Sequence, residues 1–119
     1  MSLEWEQTVV DSADPAALGR WWAEALGWVV VNASAEEFEI QPERDRLPGL
    51  IFVPVPEAKT VKNRLHLDFR PDDQAAEVAR LLALGARHPD GAPGDFPWVT
   101  LVDPEGNEFC VLSERRPRT

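Results

Sequence analysis

Three side chains in two short stretches could do chemistry. In "DPEGNEFCVL", Asp103 to Leu112, Cys110 is the one cysteine of the chain. Read as a strand, "EFCVL" puts Phe109 and Val111 on one face and Glu108, Cys110 and Leu112 on the other, because side chains alternate along a strand. The thiol therefore shares a face with a carboxylate. As a thiolate, Cys110 is a soft metal ligand or a nucleophile; as a thiol it is a small buried hydrophobe. His66, in "NRLHLDF", is a metal ligand or acid–base group on a strand face that also carries Asp68, or a hydrogen-bonded histidine packed there. Sequence proximity supplies neither an activating base nor an oxyanion hole, so a Cys–His nucleophile is not supported. His88 lies in the turn-rich "RHPDGAPGD" and is expected to be exposed.

The elements that would position these groups are written twice. "EWEQTVVDSADPAALGRWWAEALGWVVV" and "NRLHLDFRPDDQAAEVARLLALGAR" each run from an alternating strand through an acidic cap and one helix to a glycine. Asp14 caps the first helix with Pro15 at its first position; Asp72 or Asp73 caps the second. The closing glycines are Gly27 and Gly85. Helices are expected near 14–26 and 72–84. Strand candidates follow each helix: "WVVVN", "EFEIQ" and "GLIFVPV" in the first half, "ARH", "WVTLV" and "EFCVL" in the second. Each half thus reads β-α-β-β-β, over residues 3–55 and 62–114, with a joint at 56–61. Either half alone is too small for a stable core, so a single domain of 119 residues is expected.

Composition narrows the partners. A formal charge of −9 repels phosphate backbones and disfavours nucleic acid, while it attracts a cationic ligand. No apolar run approaches a membrane span and the N-terminus lacks a basic-then-apolar signal, so a cytoplasmic protein is expected, with no membrane partner. One cysteine excludes an intrachain disulfide. Five tryptophans with no tyrosine stand out. Adjacent Trp21 and Trp22 cannot both sit at the centre of one helix face, and Trp5 shares strand parity with Gln7. Each tryptophan is core packing or part of an aromatic, acidic pocket for flat or cationic molecules. Lys59, Lys62 and Arg64 form a small basic cluster, either solvated or pairing with an anion.

"DSADPAALGRWWAEALGW", "KTVKNRLHLDF", "LLALGAR" and "DPEGNEFCVL", in this order and spacing, resemble the vicinal oxygen chelate superfamily, and within it the small glyoxalase-like proteins. The superfamily includes glyoxalase I, extradiol dioxygenases and bleomycin-resistance proteins. The resemblance implies an α+β fold in which two βαβββ modules form a curved mixed sheet around a cleft. It also implies a homodimer. Carried over by position, the first-strand metal ligand falls on Gln7, seven residues before Asp14, and its counterpart on His66, seven before Asp73. The last-strand ligand, usually Glu, falls on Cys110, and the corresponding stretch of the first half, "GLIFVPV", holds no acid. A set of Gln7, His66 and Cys110 suits zinc or nickel and is an incomplete catalytic site. The acidic charge, the tryptophans and the missing carboxylate favour a binder of a small organic molecule in the inter-module cleft, similar to bleomycin-resistance proteins and with no cofactor; shared inward strand parity makes Trp5, Gln7, His66 and Cys110 its expected contacts, with Glu108 at the edge of the same surface. The alternative is a metal-dependent lyase of the glyoxalase type using Gln7, His66 and Cys110 or Glu108.

Overall fold

The computed structural model describes residues 2–91 and 94–114, so Ala92 and Pro93 of the turn-rich run lie outside the described residues. Contacts divide the chain into two compact units, Met1–Ala58 and Lys59–Thr119. Both are mixed α+β.

In the first unit, β1 (Gln7–Ser12), β2 (Val29–Ala33), β3 (Phe38–Gln41) and β4 (Gly49–Pro54) form a sheet in the order β1-β4-β3-β2. β1 runs parallel to β4 and the other pairings are antiparallel. Helix α1 (Pro15–Leu26) begins where the Asp14 carboxylate accepts the Ala17 N–H, and ends at Gly27, whose φ of 68° a side chain would resist. Its apolar side is buried with Phe38, Ile40, Leu50 and Phe52, which alternation and register put on one face of the sheet. Gly19 packs directly against the sheet, where a Cβ would overlap the Phe38 ring.

In the second unit, β5 (Leu67–Phe69), β6 (Val99–Val102) and β7 (Glu108–Val111) form a sheet in the order β5-β7-β6, parallel between β5 and β7 and antiparallel between β6 and β7. Helix α2 (Gln74–Leu84) is capped by Asp73, which accepts the Ala76 N–H, and stops at Gly85 with φ 115°. The cap is thus Asp73 rather than Asp72. A second carboxylate, from Glu114, accepts the Gln74 N–H. Leu101, Phe109 and Val111 are buried at 0, 1 and 2 % exposure. The "ARH" segment expected as a strand contributes one bridge, Arg87 to Val102. Pro89 cannot donate to a ladder, and the run that follows is turn chemistry.

Candidate functional site

Register on the second sheet brings the reactive groups together. Cys110 on the central strand has Asp68 beside it on β5 and Thr100 beside it on β6. Alternation puts all three on the face opposite Phe109 and Leu101. The Cys110 Sγ lies 3.4 Å from the Thr100 Oγ1, and the His66 Nε2 lies 3.3 Å from an Asp68 oxygen. His66, Asp68 and Cys110 each offer a donor atom within 4.8 Å of the others. Cys110 is buried, whereas the His66 and Asp68 side chains are about half exposed. Backbone geometry sends His66 just ahead of β5, not inside it.

The turn that delivers Cys110 is built by Asp103, a buried carboxylate. One of its oxygens accepts the N–H groups of Glu105 and Asn107 at 2.9 Å, and the other accepts from the Asn107 amide. An Asp at the head of a turn doing this is the Asx pattern. It holds β6 and β7 in the register that sets Thr100 against Cys110.

Glu108 is committed to its own unit. One oxygen accepts from the Lys59 Nζ and the other from the Asn63 N–H, at 2.8 and 2.9 Å. Burial raises its pKa, but the hydrogen bonds from Lys59 and Asn63 and the Lys59 charge outweigh that, so it lies below the ordinary glutamate value. The basic cluster is therefore divided: Lys59 is an internal partner, while Lys62 and Arg64 are exposed.

Beyond Thr100 the same sheet carries a pocket of about 250 Å³ lined by His88, Phe96, Trp98 and Thr100 among others. Phe96 and Trp98 stack face to face, with centroids 4.6 Å apart and planes 3° from parallel, yet they are 60 % and 40 % exposed. Trp98, whose facing was open in the sequence, shares parity with Thr100. The intervening Pro97 is tied to the start of α2 and to β7, since the Gln74 amide donates to the carbonyls of Pro97 and Val111. Thr100 is common to the pocket and to the Cys110 contact.

The first unit places Gln7 at the start of β1 beside Gly49, half-buried. Parity puts it on the face away from α1, where Glu39 of β3 also lies. Trp5 precedes β1 and is 66 % exposed. Trp21 and Trp22 meet edge to face at 5.0 Å; Trp22 is buried and Trp21 half-buried.

The family model for the glyoxalase-like domain matches residues 7–112. The chain belongs to the glyoxalase-like domain family. It is thereby a member of the vicinal oxygen chelate superfamily. Solved structures agree on the fold. A glyoxalase/bleomycin resistance protein/dioxygenase family enzyme from Burkholderia phytofirmans superposes with a TM-score of 0.70 at 16 % identity, covering 92 % of this chain and 97 % of that one. TnmS3, an antibiotic binding protein from a Streptomyces species, gives 0.66 at 20 % identity over 97 % and 99 %. A bleomycin-binding protein solved with bleomycin gives 0.61 at 19 % over 96 % and 100 %. A comparison with curated proteins returns no match.

Proposed function

We propose that this glyoxalase-like protein binds a small organic molecule carrying a flat or aromatic part, and that the pocket beside Thr100 takes that part up without a metal. The observation that carries this reading is the Phe96–Trp98 pair, stacked and exposed at a concave site. Covering two exposed rings with a ligand ring gains area burial plus about 0.5–1.5 kcal/mol for each aromatic contact. A volume of 250 Å³ is near the small end for ligand pockets, so one ring system is taken up and the rest of the molecule stays outside. The charge of −9 favours a cationic substituent. Antibiotic binding by two proteins of this fold supports the reading by analogy.

His66 and Cys110 are proposed contacts, reached from the pocket through Thr100. Trp5 and Gln7 on the first unit are proposed contacts to be tested separately. Glu108, with both oxygens engaged, is proposed to hold the sheet beneath the ligand. A panel of aromatic cations beginning with bleomycin, followed by tryptophan fluorescence in the presence of chelator, tests the proposal. Saturable quenching supports it; a panel without any response counts against it.

A metal-dependent lyase is the second reading, favoured by the donor group of His66, Asp68 and Cys110. There the metal would be zinc or nickel and would polarise a substrate oxygen as a Lewis acid. Turnover abolished by chelator and restored by one added metal would select this reading.

A further inference from the structure

His88, exposed as the turn chemistry of "RHPDGAPGD" led one to expect, also lines the pocket of Thr100, Phe96 and Trp98. Among the described residues lining that pocket, His88 and Thr100 carry the side chains that both donate and accept hydrogen bonds; the Trp98 indole N–H donates only. No Asp, Glu, Lys or Arg is among them, since Asp90 and Asp95 belong to the same loop without lining the pocket. We infer that the pocket takes an uncharged hydroxyaromatic ring, and that His88 selects it by hydrogen bonding to the ring hydroxyl. This rests on the aromatic-pocket reading above and narrows its ligand class.

A cationic ring would lose water there with no lining carboxylate to compensate it. A positive substituent therefore stays outside, in the field of the −9 chain. A ring hydroxyl both donates and accepts, so it pairs with either nitrogen of a neutral imidazole, whichever carries the proton. A ring without a polar group would cover His88 and Thr100 without replacing their bonds to water, and hydrogen-bonding sites reject such analogues for that reason. Thr100 already engages the Cys110 Sγ at 3.4 Å, which leaves His88 as the selecting group.

The platform under the ring is set before any ligand arrives. A Cβ added at Gly94 would overlap the Phe96 ring, although the Gly94 backbone is outside the left-handed region. The position therefore uses the missing side chain itself, which lets the ring lie against the backbone. From there Phe96 stacks on Trp98 at 4.6 Å, across a proline whose φ is fixed. A preorganised platform loses less freedom on binding. Gly94 acts through Phe96 and is a positioning residue, whereas His88 is a contact.

The test is an NMR titration of the isotope-labelled protein, in chelator, with 2-naphthol, its methyl ether 2-methoxynaphthalene, and the cationic ring N-methylquinolinium. In wild type, 2-naphthol should shift the Trp98 indole N–H and bind about 2- to 10-fold tighter than the ether, the range of one neutral hydrogen bond. N-methylquinolinium should bind weakest. His88→Ala should erase the preference for naphthol over the ether. Gly94→Ala should weaken naphthol and ether alike and move the Trp98 indole resonance of the free protein, with a melting temperature close to wild type. Equal wild-type affinity for naphthol and ether, or a preference that survives His88→Ala, would overturn the role of His88 and leave the aromatic pocket standing. Tightest binding by N-methylquinolinium would overturn the uncharged class. No response to any of the three rings would overturn this inference together with the pocket reading beneath it.

Discussion

Replacing Glu108 by Gln separates a clamp from a ligand. The substitution keeps a side-chain carbonyl for the Asn63 N–H but removes the charge that Lys59 meets at 2.8 Å. The two side chains are 21 % and 17 % exposed, between a surface pair and a buried one. Surface pairs contribute about 0–1 kcal/mol, and breaking a buried pair costs about 3–5. A loss of about 1–2 kcal/mol is therefore expected near neutral pH. Chemical denaturation of wild type, Glu108→Gln, Lys59→Met and the double variant yields the coupling energy directly. The pH dependence has a definite sign. Because the folded carboxyl lies below its ordinary value of 4.5, its contribution is present above that value and disappears as pH falls through the lowered one. The gap between wild type and Glu108→Gln should therefore narrow below about pH 4.5. A gap that widens in acid, or a coupling within the roughly 0.3–0.5 kcal/mol expected of independent sites, would refute the clamp.

Gly19→Ala improves helix propensity by about 1 kcal/mol but drives a Cβ into the fully buried Phe38 ring. Overpacking of that kind costs about 1–3 kcal/mol, so the variant should melt below wild type by calorimetry. Gln74→Ala should lower affinity for the panel ligands while leaving α2 intact by circular dichroism, because it frees the carbonyl of Pro97, the residue between Phe96 and Trp98. Light scattering should give twice the 13.3 kDa chain mass at micromolar concentration; a mass of one chain would exclude the homodimer.

Local chemistry was readable in the sequence wherever it acts over a few residues. Asp14 and Asp73 cap, and Gly27 and Gly85 stop, because N–H groups three residues on and a left-handed φ are requirements within one turn. The first-half strands appear where alternation put them. The "ARH" segment contributes one bridge and no strand, since three residues carry no usable alternation and Pro89 directly after them cannot extend the ladder. What stayed hidden depends on register. Asp68 and Thr100 flank Cys110 only because β5 and β6 pair with β7 at one offset, which one strand cannot disclose. The capture of Glu108 by Lys59 crosses 49 residues, and the basic cluster before the His66 strand was its only trace. The Phe96–Trp98 stack lay in a segment without periodicity, where the i, i+2 aromatic spacing was the available signal.

The most direct measurement is calorimetric titration, in the presence of chelator, of wild type and Trp98→Ala with whichever panel ligand quenches the wild-type fluorescence. Loss of one stacking ring at the pocket mouth, with its area burial, corresponds to about 1.4–2.8 kcal/mol, or roughly 10–100-fold in affinity. Wild type should bind in chelator with micromolar affinity, and Trp98→Ala should bind correspondingly weaker while melting close to wild type. Equal affinity in the two proteins, or wild-type binding that vanishes with chelator, would contradict a metal-independent aromatic pocket.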